Sequence, residues 1–76
     1  MSVKGYVLAN VEVGSGVGVV EDLLAIEGVK SAENVTGPFD VIAVVEVDDT
    51  IALGKLLISK LETAKGITNT LTCVVT

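Results

Sequence analysis

A chain of 76 residues with five lysines, no arginine, ten carboxylates and a formal net charge of −5 lacks the clustered cations that displace counterions from phosphates, which argues against direct DNA or RNA binding. Half of the residues are apolar and mean hydropathy is +0.72, yet the longest unbroken apolar run, Val41 to Val45, falls far short of the roughly 18 residues of a membrane span. One domain of this size buries only about 60% of the surface its unfolded chain exposes, so the surplus apolar surface is expected in a subunit interface.

The first strand is expected over Val3 to Val13. Val3, Gly5, Val7, Ala9, Val11 and Val13 alternate with Lys4, Tyr6, Leu8, Asn10 and Glu12, the period of two that marks a half-buried strand. Lys4, Asn10 and Glu12 also interrupt any signal-peptide pattern. Gly14-Ser15-Gly16-Val17-Gly18 leads into a helix that begins near Ser15 to Val17 and runs to Glu27. Val19, Val20, Leu23, Leu24 and Ile26 make its apolar side, and Glu21, Asp22 and Glu27 its polar side. Acids in its early turns suit the positive end of the helix dipole, and Gly28 ends it.

The second strand, Val29 to Thr36, carries Lys30, Glu33 and Asn34 and suits a sheet edge. Thr36-Gly37-Pro38-Phe39-Asp40 reads as a hairpin turn. The third strand, Asp40 to Val47, is almost wholly apolar and reads as a central strand buried on both faces. Asp48-Asp49-Thr50 supplies N-cap candidates for a helix from Thr50 to Lys65. Leu53, Leu56, Leu57 and Leu61 form its stripe, Lys55, Glu62 and Lys65 face water, and Gly66 stops it. In the last strand, Ile67 to Thr76, Thr68, Thr70, Thr72, Val74 and Thr76 share one face, and Ile67, Asn69, Leu71, Cys73 and Val75 the other.

The order β-α-β-β-α-β predicts an α+β, ferredoxin-like sandwich in one domain over residues 1–76: a four-stranded antiparallel sheet with both helices on one face. Right-handed crossovers put the first and third strands in the middle. The other face is left bare, with Tyr6, Leu8, Ile42, Val44 and Val74 expected on it as a dimer interface. The single Cys73, in an apolar strand, reads as a buried reduced thiol of a cytoplasmic protein.

Few constellations carry chemistry. The Gly14–Gly18 segment lacks the third glycine of a dinucleotide fingerprint and the Gly-Lys-Ser/Thr of a nucleotide loop, and reads as a flexible connection. Asp48 and Asp49 suit helix capping better than a cation site. Asn34-Val35-Thr36 matches a glycosylation sequon, uninformative without a secretory signal. The threonine row is suited to a half-buried strand face or, through its hydroxyls, to a small polar ligand. Asp40 either closes the turn by accepting backbone N–H groups or holds a cationic group such as an α-amine. Histidine is absent, and no nucleophile–base pair or metal cluster assembles. The chain does not read as an enzyme, and no cofactor is expected.

Ala32 to Val41, with its Gly37-Pro38-Phe39-Asp40, resembles the Gly-x-Tyr/Phe-Asp segment of the effector-binding (RAM) domain of Lrp/AsnC transcription regulators. The tail from Gly66 to Val75 resembles the closing strand of that family, a Gly-Val turn followed by alternating threonines. The resemblance implies dimerisation through the sheet, assembly of dimers into rings, commonly octamers, and an amino acid or related metabolite bound between dimers. Ligand contacts then fall to Gly37, Phe39, Asp40, Thr70 and Thr72. Family regulators carry an N-terminal helix-turn-helix domain, whereas this chain begins with a strand, like stand-alone members lacking that domain. It is therefore expected to act by joining a full-length regulator, or as a metabolite sensor or carrier. Two further readings stand beside this one: an ACT-like amino-acid-binding domain, with its ligand beside Gly14 to Gly18, and a structural assembly subunit without a ligand.

Overall fold

The structure, a computed structural model, describes residues 2–61 and 64–76. Its elements are β1 (Val3–Val11), α1 (Gly16–Leu24), β2 (Val29–Asn34), β3 (Val41–Val47), α2 (Thr50–Leu56) and β4 (Ile67–Val74), with a π-helical turn, Leu57–Leu61, extending α2. The strands form one antiparallel sheet in the order β2-β3-β1-β4. This is the ferredoxin-like β-α-β-β-α-β fold, with β1 and β3 in the middle and the charged β2 at an edge.

The core lies between sheet and helices. Val7 and Ala9 of β1, Ala32 of β2, and Val41, Ala43 and Val45 of β3 pack with Val19 and Leu23 of α1 and with Leu53, Leu56 and Leu61 of α2 and its extension. The strand members all belong to one alternating set, so both helices cover the same face. Small residues in β1 let the helices approach closely, and the β3 members are fully buried. Ile42 and Val44, on the opposite side of β3, are only partly buried. Burial of that strand on both faces therefore does not arise within one chain.

Both helices are shorter than their apolar patterns suggest. α1 ends at Leu24, and the chain then turns through Ile26 and Gly28, with Ile26 N–H donating to Leu23 O at 3.0 Å and Val29 N–H to Ile26 O at 3.2 Å. Leu24, expected on the core side, points outward and is 50% exposed. The first turn holds no acid and Ser15 makes no side-chain cap, because the helix starts at Gly16 and leaves Glu21 and Asp22 to its second turn. At α2, Asp49 caps as expected, its Oδ1 accepting from Ala52 N–H at 2.7 Å. The regular helix stops at Leu56, and the wider turn after it delivers Leu61 fully buried to the core. Ser59 Oγ donates to Lys55 O at 2.5 Å, a back-bond of the kind that loosens and bends helices. Lys65 is exposed; the expected outward Glu62 lies outside the described residues.

Strand β4 corrects three expectations. Its register pairs Gly5 with Val74, Tyr6 with Cys73, Val7 with Thr72, Leu8 with Leu71 and Ala9 with Thr70. Directly opposed residues share a face, so Val74 stands with Thr70 and Thr72 on the helix side and not on the bare face. Leu71 and Cys73 take that place. Alternation within one strand defines two sets of residues, and only pairing with a neighbour decides which set faces the core. Cys73 is accordingly exposed, not buried. A bulge between Asn10 and Val11 leaves Thr68 as the extra residue and turns Ile67 to the core side, opposite Val11.

The turn at Gly66, before β4, is sterically demanding. Its φ is +95°, and an added Cβ would lie 3.0 Å from Ser15 Cβ and 3.1 Å from Val19 Cγ2. Gly66→Ala is expected to cost about 1–3 kcal/mol, read as a lower urea midpoint at fixed protein concentration. An unchanged midpoint would refute this account of the turn.

Candidate functional site

Three connections meet at one end of the sheet: the β2–β3 turn, the β1–α1 loop and the α2–β4 loop. β1 outruns its neighbour there, since its pairing with β3 ends at Ala9–Val41 while β1 continues to Val11. Asp40 fills the vacant ladder positions. Its N–H donates to Ala9 O at 2.9 Å, its carbonyl accepts from Val35 N–H at 2.9 Å, and its Oδ2 accepts from Val11 N–H at 3.0 Å. Of the two roles open to Asp40, closing the turn is thus occupied. A carboxylate offers about four acceptor positions, so a ligand amine remains chemically compatible with it.

Asn10 ties the turn to the closing strand. Its Nδ2 donates to Pro38 O at 3.0 Å, and its Oδ1 accepts from Asn69 Nδ2 at 3.3 Å. Neither asparagine stands out in the sequence. The available signal is the alternation of β1, which puts one polar amide in line with Tyr6 and Leu8 at the strand's end. Held in this way, the turn leans over the bare face. Val35, Thr36, Gly37, Pro38 and Phe39 surround an open apolar hollow of about 250 Å³ floored by Leu8 and Ile42.

The five expected ligand residues do not converge in one chain. Gly37 and Phe39 line that hollow, on the bare side. Thr70 and Thr72 pair with Ala9 and Val7 and lie on the helix side; Thr70 also borders a polar recess along the start of β4 with Ile67, Thr68 and Asn69. Asp40 sits at the sheet's end between the two. On the helix side the β1–α1 loop makes a separate hollow of about 290 Å³ lined by Glu12, Gly14, Ser15, Gly18, Asp22 and Lys65, among others. Glu12 N–H bonded to Gly66 O at 2.8 Å closes its base.

The bare face has an apolar centre of Tyr6, Leu8, Ile42, Val44 and Leu71 and a polar margin. Tyr6 is 38% and Leu71 50% exposed. At the margin, the Lys4 ammonium lies 5.3 Å from the centre of the Tyr6 ring and stands opposite Glu46, which accepts from Ser2 Oγ at 2.6 Å. Among the described residues no group of His, Cys, Asp or Glu is placed to hold a metal, and no helix is long and apolar enough to cross a membrane.

The profile of the Lrp/AsnC ligand binding domain matches residues 6–76. Among solved structures, a hypothetical protein of Pyrococcus horikoshii shares 31% identity at TM-score 0.93, with 97% of this chain and 89% of that one covered. AsnC of E. coli superposes at TM-score 0.89 with 23% identity, over 96% of this chain and 50% of its own. A Neisseria meningitidis transcriptional regulator, crystallised as its L-Met complex, does so at TM-score 0.82 with 15% identity, over 97% and 49%. No curated protein matches significantly.

Replacing Asp40 separates its backbone role from any other. Asp40→Ala leaves the partly buried Val11 N–H without its acceptor and is expected to cost about 1–3 kcal/mol. Asp40→Asn retains a side-chain oxygen and should recover most of that in the same urea titration. Equal losses in both variants, or none in Asp40→Ala, would contradict the assignment.

Proposed function

The chain belongs to the Lrp/AsnC ligand-binding domain family, and we propose that all of it, residues 1–76, is one module that senses a small molecule, an amino acid, and self-associates to convey that signal to transcription. The observation that carries the proposal is the hollow under the Thr36–Asp40 turn, which opens directly onto the uncovered apolar face. A second copy laid on that face through Tyr6, Leu8, Ile42 and Val44 would bury the apolar surplus, and each Å² of apolar area removed from water contributes about 25 cal/mol. Further association of dimers, in the manner of a tetramer of dimers, brings the turn of one copy within reach of the Thr70–Thr72 row of another. Gly37, Phe39 and Asp40 then contribute one half of a ligand site, and Thr70 and Thr72 the other.

The chemistry of that site suits an amino acid. Phe39, Leu8 and Ile42 take an apolar side chain, the spare Asp40 oxygen accepts from an α-amine, and threonine hydroxyls and the Gly37 backbone bond the carboxylate. The L-Met complex of the Neisseria relative supports this class of ligand. The response reaches DNA through a full-length regulator of the family that the module joins. A second reading rests on the hollow beside Gly14 to Gly18, the place an ACT-like domain uses for its ligand.

Two measurements test the proposal. In sedimentation velocity at micromolar concentration the wild type should exceed one chain in mass, and Leu8→Asp or Val44→Asp should lower that mass. A wild-type monomer would overturn the interface. Thermal-shift titration with each of the 20 amino acids at millimolar concentration should raise the melting temperature for at least one, and Phe39→Ala should abolish the rise. A rise that survives Phe39→Ala but is lost in Ser15→Trp would move the ligand to the β1–α1 hollow; no rise with any amino acid would sink amino-acid sensing.

A further inference from the structure

The helix layer has an outer surface that the core does not use. On α1, Val17 and Leu24 are 69% and 50% exposed; on α2 and its extension, Ile51 and Ile58 are 69% and 67% exposed. The α1 pair is seven residues apart, about two helical turns, so two apolar knobs stand in line on its solvent side; Ile51 lies in α2 and Ile58 in the π-helical turn that extends it, and both are exposed. The charges beside them differ in sign. α1 carries Glu21 and Asp22, whereas α2 and its extension carry Lys55 and Lys60, all four exposed. No ion pair joins these groups within the chain among the described residues. Gly18 and Gly54 lie on the same two helices, and a Cβ added at either would meet nothing within 4 Å, so a facing backbone has room to approach.

We propose that this outer surface is a second association surface, on which α1 of one copy docks against α2 of another. The charge pattern selects the partner. Like helices laid together would oppose acid to acid and lysine to lysine, which costs free energy, whereas α1 on α2 opposes each acid to a lysine and each apolar pair to an apolar pair. A twofold axis makes two such contacts at once, the self-complementary arrangement that closed dimers use. The surface lies on the opposite layer from Tyr6, Leu8, Ile42 and Val44, so the two contacts can form together and extend assembly beyond two copies.

Charge reversal tests this without relying on any one pair. In Glu21→Lys/Asp22→Lys both helices are basic; in Lys55→Glu/Lys60→Glu both are acidic. Exposed substitutions of this kind usually change stability little, and circular dichroism checks that the fold is kept. Each variant alone should sediment at lower mass than the wild type, and an equimolar mixture should recover the wild-type mass. The first variant also controls for overall repulsion. Two acid-to-lysine changes, each worth +2, bring the net charge from −5 to −1, so net charge alone would strengthen its association. Either variant keeping the wild-type mass, or a mixture that fails to recover it, overturns the proposal. Leu8→Asp reports on the sheet face separately: it leaves the helix contact in place, so combining it with either charge variant should lower the mass below that of Leu8→Asp alone.

Discussion

Strand β1 is the constraint from which the remaining geometry follows. It holds one of the two central places in the sheet, paired with β3 on one side and β4 on the other. Its small residues Gly5, Val7 and Ala9 line the helix side and are buried, which brings the helices close enough for Leu23 and Leu61 to reach full burial. The same register lifts Tyr6 and Leu8 onto the opposite face. Shifting the β1–β3 register by one residue would turn one of these strands over, exposing its valines and burying Lys4 or Glu46 without a partner.

At its far end β1 also organises the candidate site. The strand runs past the last β3 partner, and the orphaned backbone there is completed by Asp40 rather than by another strand. A buried or half-buried amide without an acceptor is costly, so Asp40 holds the turn against the sheet. Asn10 extends the tie to Pro38 in one direction and Asn69 in the other. The hollow between Phe39, Leu8 and Ile42 therefore has a rigid floor and a roof anchored by hydrogen bonds at both of its sides. Such preorganisation lowers the ordering cost of binding.

A chain this small distributes its hydrophobicity between one dry core and two wet surfaces. The core contains no aromatic residue and is assembled from valine, alanine and leucine; the aromatic residues Tyr6 and Phe39 lie on the bare side or over its hollow. Larger apolar groups are thus held where a partner or ligand can cover them, which is the distribution expected when folding and association share the same stabilisation.

Much of this was legible in the residues themselves. The period-two runs of β1 and β3, the leucine spacing of α2, the Asp49 cap and the glycines at 28 and 66 prescribe the elements and their order, because each reports a local rule of backbone geometry. Resemblance of the segments around Gly37 and Gly66 carried the family. Tertiary structure alone decided three things. It set which alternate set of β4 faces the helices, moving Val74 inward and Cys73 and Leu71 outward, since a two-fold pattern has no sign until a neighbour fixes its register. It cut α1 at Leu24 and opened α2 after Leu56, since helix ends answer to packing as well as to propensity. And it divided the expected ligand residues between the two sides of the sheet, placing Gly37 and Phe39 over one and Thr70 and Thr72 on the other, because which face a side chain takes depends on pairing between strands far apart in the chain.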